Sequence, residues 1–184
     1  MRVRALLLAS LVALPLSAHA ASKRGLYAEA DLGATGFLGT HADYAAIGPT
    51  AGVRLGVQLF SWLSVGGLVA MSTHEAILPP PPEGEQLQLY TAAGDARIAL
   101  GGESLRFFAE GGLGFAAIST NVLDRVGVTA PDRRSSLAMH AGGGLDWHMK
   151  NRHYSIGLAG DWATMPDFDT AQTVSGRLYL RYVQ

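Results

Sequence analysis

The chain has 184 residues, 14 basic against 15 acidic, six His, 23 Gly and no Cys. It is 48% apolar but only 16% charged, against about a quarter in ordinary soluble domains. A near-neutral chain without a basic run excludes an electrostatic nucleic-acid binder, and the lack of Cys excludes disulfide scaffolds, Cys-ligated metal and thiol chemistry.

Residues 1–20 read as a cleaved secretory signal. Arg2 and Arg4 precede an apolar stretch from Ala5 to Leu16, and Ala18-His19-Ala20 supplies the small residues of a cleavage site. Pro15 and His19 interrupt the run before the ~20 residues that a membrane helix requires. Cleavage after Ala20 leaves residues 21–184 and takes the formal charge from −1 to −3.

From there on the hydrophobic period is two. Leu26, Ala28, Ala30 and Leu32 share one parity, with Tyr27, Glu29 and Asp31 on the other; Val53, Leu55, Val57 and Leu59 alternate with Arg54, Gly56 and Gln58. Such alternation marks strands with a different environment on each face. Eight are expected, at about 25–36, 50–59, 63–73, 86–100, 105–121, 135–149, 154–164 and 173–183. The third and fourth are ambiguous. Leu68 falls on the inward parity if Val65 and Val69 point out, and Leu87 and Leu89 share the parity of Asp95 and Arg97. A bulge near Ala92–Gly94, or a strand rising above the membrane, would resolve the second conflict. The connections alternate between long and short, with tight turns such as Gly101-Gly102-Glu103-Ser104 and Lys150-Asn151-Arg152-His153. This order describes an all-β, eight-stranded antiparallel up-and-down barrel.

Charge decides which face meets lipid. No Asp, Glu, Lys or Arg falls on the apolar parity of the last four strands. A soluble barrel turns its apolar parity inward, whereas a membrane barrel turns it onto lipid. Export, a Gly/Ala-rich polar parity and aromatics near the strand ends all favour the membrane arrangement. The expected girdles comprise Phe60, Trp62, Phe107, Trp147, Tyr154 and Tyr182 at the short-turn end, with Tyr90 and Trp162 at the other. The inward parity holds Glu29, Asp31, Asp95, Glu110, Asp146 and Asp161 against Arg54, Arg97, Arg106, Arg177 and Arg181, with His140 and His148. Near balance suits a low-dielectric lumen, so a salt-bridged, filled interior is expected.

Signal, eight alternating strands, four long loops, three tight turns and a charged lumen together resemble the small outer-membrane barrels of Gram-negative bacteria, of the OmpX and OmpA transmembrane-domain type. The resemblance is one of pattern across the mature chain. It implies a bacterial outer-membrane location with periplasmic termini, a monomer, contact with outer-membrane lipid and lipopolysaccharide, and handling by the outer-membrane assembly machinery. One departure is that the last aromatic, Tyr182, stands two residues before the end.

Little points to chemistry. Asp146 and His148 share a face about 7 Å apart at strand rise, with His140 about 20 Å from Asp146; a lumen hydrogen-bond network accounts for all three without a metal. His41 and His74 fall in loops, where they are expected to be solvated. Ser119, Ser135, Ser136 and His74 could converge near one rim, as a lipid A-modifying barrel enzyme would require, but no spacing singles them out. The glycine runs at Gly111–Gly114 and Gly142–Gly144 do not lead from strand to helix and are not phosphate loops. Pro79–Pro82 reads as a stiff loop segment. In the third long loop Asp124, Arg125, Asp132, Arg133 and Arg134 offer charges to lipopolysaccharide phosphates. The expected role is non-enzymatic, without cofactor, with surface loops whose ligand the sequence does not name. The rival readings are a soluble periplasmic barrel for a small apolar ligand, a lipid A-modifying enzyme and a narrow channel.

Overall fold

The structure is a computed structural model that describes residues 24–77, 86–118, 134–151 and 153–184. The expected signal segment, Pro79–Pro82, and all of the third loop before Arg134 lie outside the described residues.

Eight strands form: β1 (Gly25–Phe37), β2 (Gly48–Phe60), β3 (Leu63–Glu75), β4 (Gln86–Gly101), β5 (Leu105–Ile118), β6 (Ser135–His148), β7 (Tyr154–Met165) and β8 (Ala171–Val183). Each pairs antiparallel with its sequence neighbours, and β8 pairs with β1, closing the barrel. Closure gives every strand two partners, which removes the unpaired backbone edges that lipid cannot hydrogen-bond. Several strands run further than the alternation suggests, notably β3, which continues through His74 to Glu75.

The sidedness is that of a membrane barrel. Leu178 is 61% exposed, and Leu145 and Leu158 are exposed with it, whereas Arg54 is 2% exposed and Arg106 and Arg177 are buried. The opposite parity would gather the leucines in a dry centre and turn the five lumen guanidinium groups outward. Register then sets opposite charges side by side, which favours each pair. Glu29 lies directly between Arg54 on β2 and Arg181 on β8, and Arg97 lies opposite Glu110.

Glycine makes room on the inward face. Tyr179 stands opposite Gly157, where a Cβ would run into its ring. Asp31 stands opposite Gly52, whose missing Cβ would lie 2.9 Å from both carboxylate oxygens. A narrow eight-stranded lumen holds long side chains only where the facing position has none.

The two ambiguous strands are resolved by height along the barrel axis. The β3–β4 register runs without a break from Glu75↔Gln86 to Leu63↔Ile98, so no bulge lies near Ala92–Gly94. Leu87 and Leu89 point inward on an unbroken strand because β4 continues past the ionic zone into an apolar zone at the loop end. Leu68 also turns inward, lining a cavity in the lumen. The register irregularity lies instead in β2, between Gln58 and Phe60. His41 and His74 correct the expectation of solvated loop residues. His74 is a fully buried member of β3, and His41 is buried within the short 3₁₀ turn Gly39–Asp43.

Candidate functional site

The barrel interior holds most of the polar chemistry, stacked in layers. In the middle layer Glu29 and Glu110 are the shared anions. Arg54 places Nη1 2.6 Å from Glu110 Oε2 and 3.6 Å from Glu29, and its Nε 3.2 Å from Asp95. Arg97 lies 2.9 Å from Glu29 and 2.8 Å from Glu110. Arg177 joins Asp161 through Nε at 2.6 Å, reaches Glu29 at 3.4 Å and Asp31 at 3.5 Å, and also pairs with Glu110. The planar guanidinium fork, with five donors, lets one Arg engage carboxylates from several strands at once. Arg97 also packs over the rings of Phe108 and Tyr179, at 4.2 and 5.1 Å, which gives its apolar face a partner.

Toward the turn end Arg181 still touches this network, while Arg106, Asp146 and His148 stand apart from it. Arg181 packs over Tyr27 at 3.9 Å, donates to Gln58 Oε1 at 2.9 Å and lies 3.8 Å from Glu29. Arg106 pairs in register with Asp146 but donates to the backbone carbonyls of Gly102 and Ser61. His148 Nε2 is 3.9 Å from Asp146, beyond hydrogen-bond reach. No group of three or more metal-ligating side chains with coordinating geometry occurs among the described residues.

Above the ionic layer lies a cavity of about 90 Å³, lined among others by Asp31, Arg54, Ser72, His140, Asp161 and Arg177. Both ring nitrogens of His140 are buried without a hydrogen-bond partner, as are one oxygen each of Asp31 and Asp161. His140 is thus brought beside the ionic layer but not bonded to it. A polar chamber of this size accommodates several water molecules, at about 10–15 Å³ of such volume each. Leu89 and Met165 form its ceiling and belong to an apolar cluster with Phe37, Leu87, Ile118 and Phe168 that closes the loop end.

A serine–histidine pair is present that sequence reasoning missed. Ser72 Oγ is 2.8 Å from His74 Nε2, and His74 Nδ1 is 2.9 Å from the Ala46 carbonyl. A carbonyl only accepts, so Nδ1 carries the proton and Nε2 accepts from the serine hydroxyl. The arrangement is that of a base beside a nucleophile, yet His74 is fully buried with Phe37 edge-on at 5.0 Å. What the pair does hold is the first loop. Ala46 N also bonds to Glu75 O, and Ile77 N to Tyr44 O, folding the loop against the end of β3. The sequence signal was the shared parity of Ser72 and His74, masked by placing a loop at residue 74. Ser136 bonds instead to Leu137 O and Asp167 N, so it does not join His74; Ser119 lies outside the described residues.

All eight girdle aromatics are exposed on the outer face. Phe60 and Trp62 stack at 5.6 Å with ring planes 9° apart, and Tyr154 and Tyr182 meet at 5.0 Å. At the loop end, Tyr90 and Trp162 each bond through their polar tip to a glutamine, Gln88 and Gln172. An apolar ring with a wetted tip suits a membrane–water boundary.

A family model described as "Outer membrane protein beta-barrel domain" matches residues 6–178. No curated protein matches the chain. Among solved structures, Neisserial surface protein A (NspA) is similar at 12% identity and a TM-score of 0.64, covering 87% of this chain and 97% of its own. Ail, the attachment invasion locus protein of Yersinia pestis, solved with the heparin analogue sucrose octasulfate, is similar at 11% identity and a TM-score of 0.56, covering 87% and 98%. The outer membrane enzyme PagL is similar at 19% identity and a TM-score of 0.52, covering 86% and 99%. At these identities the likeness is one of fold.

Proposed function

The chain belongs to the outer membrane protein beta-barrel domain family, and from that premise we propose that it is a non-enzymatic, monomeric scaffold that holds four surface loops in the bacterial outer membrane. The reading includes removal of residues 1–20 on export, assembly by the outer-membrane machinery, and termini and short turns on the periplasmic side. The observation that carries it is the filled lumen: Arg54, Arg97 and Arg177 bridge the interior to Glu29 and Glu110, and an apolar cluster closes the loop end. Side chains committed to one another serve rigidity rather than transport or turnover. The proposed lumen network comprises those five residues with Asp31, Asp95, Asp161 and Arg181; Arg106, Asp146 and His148 form a separate layer at the turn end.

The apolar outer face argues against a soluble ligand-binding barrel. Among the described residues, an enzyme of the PagL kind finds local support in the Ser72–His74 pair alone, and that pair is enclosed. A polyanion of the kind bound in the Ail structure is disfavoured as loop ligand, because the long connections carry seven acidic against three basic side chains. Arg125, Arg133 and Arg134 are those three, so lipopolysaccharide phosphate contact is proposed for the third loop alone.

The test combines three measurements. Unboiled protein from the outer-membrane fraction should migrate as a compact band that shifts on heating. Protease added to intact cells should cut the long loops and spare the turns. Lipid A mass spectra should be identical with and without the gene. Recovery in the soluble periplasm, or an altered lipid A, would replace the scaffold reading.

A further inference from the structure

Charge is sorted along the barrel axis. The long connections are acidic in balance in the sequence, the lumen is nearly neutral, and the described residues of the turn end carry Arg24 before β1 and Lys150 after β6 against Glu103. Within that basic rim one group stands out by its geometry. The Arg24 guanidinium lies over the Phe60 ring at 5.3 Å, on the exposed outer face, and Phe60 stacks in turn on Trp62. The irregularity between Gln58 and Phe60 sets this position, and Gln58 Nε2 secures it by donating to the Phe60 carbonyl at 2.6 Å.

Resting on the outer-membrane reading, we infer that Arg24, Phe60 and Trp62 form a binding site for the headgroup of an anionic phospholipid in the leaflet that meets the turn end. A guanidinium stacked on a ring face keeps its N–H donors at its edges, free to fork onto a phosphate. Arg24 has no carboxylate partner among the described residues. The two rings set the depth, because aromatic side chains settle at the level of the headgroups. A zwitterionic headgroup offers the same phosphate but brings its own cation to the basic rim. An anionic one brings no such cation, and Arg24, the group stacked at the headgroup level, supplies the preference, at several-fold for one basic residue near the surface.

The experiment uses the full chain carrying Trp147→Phe and Trp162→Phe, so that Trp62 is the one indole. It is inserted into phosphatidylcholine vesicles containing either brominated phosphatidylglycerol or brominated phosphatidylcholine. Brominated phosphatidylglycerol should quench Trp62 as a lipid favoured about threefold at that position. Arg24→Gln should bring the preference to unity while the heat-modifiable band, and hence the fold, is retained. Equal quenching by both lipids in the parent chain, or a preference that survives Arg24→Gln, overturns the site and leaves the membrane reading intact. Quenching by neither lipid, with the barrel folded, overturns the membrane reading itself.

Discussion

Arg54 on β2 reaches across the lumen to Glu110 on β5, with Nη1 2.6 Å from Oε2, although the two strands are not neighbours in the sheet. The bond ties opposite walls together, and Glu110 also receives Arg97 and Arg177. Removing one partner of a buried pair leaves an uncompensated charge, a loss of about 3–5 kcal/mol. Glu110→Gln is therefore expected to lower unfolding stability in lipid vesicles by about that amount. Substituting Arg54 together with Glu110 by Met should cost clearly less than the two single losses added. Denaturant titration of the parent, Arg54→Met, Glu110→Met and the double variant would measure the coupling.

Glycine positions should differ in tolerance according to what they face. Gly157→Val puts a side chain where the Tyr179 ring lies, while at Gly176 no atom stands within 4 Å of an added Cβ. The first should abolish the heat-modifiable band and the second, as Gly176→Ala, should leave it unchanged. Combining Gly157→Val with Tyr179→Ala should restore the band, because the ring is the obstacle.

Charge on the outer face tests the depth of the apolar belt. Leu178 is exposed at mid-strand, whereas Tyr154 begins β7 at the turn end. Leu178→Arg should cost about 2–4 kcal/mol of stability in bilayers and Tyr154→Arg about 1 kcal/mol or less. Unfolding titrations in vesicles of defined thickness would rank them. Equal costs would mean that the belt is not centred on the leucines.

The first loop should loosen when its anchor is cut. His74→Ala leaves the Ala46 carbonyl and the Ser72 hydroxyl without their buried partner, a loss of about 1–3 kcal/mol. Hydrogen exchange should then accelerate at Ala46 and Ile77 more than at the amides of β7. Uniform acceleration would show that His74 supports the barrel as a whole.

Steady ion flow is not expected through the intact barrel, since the ionic layer and the loop-end cluster lie in series. Arg177→Ala combined with Met165→Ala opens a place in each. Planar-bilayer recording should show no steady conductance in the parent and measurable conductance in the double variant.

Strand number, strand order and the outward turn of the leucines were legible in the residues alone, whereas the seventh connection, expected to be long, is residues 166–170, no longer than the turn at 149–153. Number and facing follow from a period of two within a single strand, and a strand between lipid and lumen writes its two environments directly into neighbouring positions. Leu87 and Leu89 broke that rule because the lumen is not uniform: polar at mid-height, it becomes apolar beneath the loops, so inward no longer means polar. His74 escaped for the related reason that β3 extends beyond the alternation that marks it. Which Arg meets which carboxylate, which glycine yields to Tyr179, and the stacking of Arg24 on Phe60 belong to the tertiary structure. Alternation assigns a face; closing the sheet fixes the register and brings distant strands within a side chain's reach of one another.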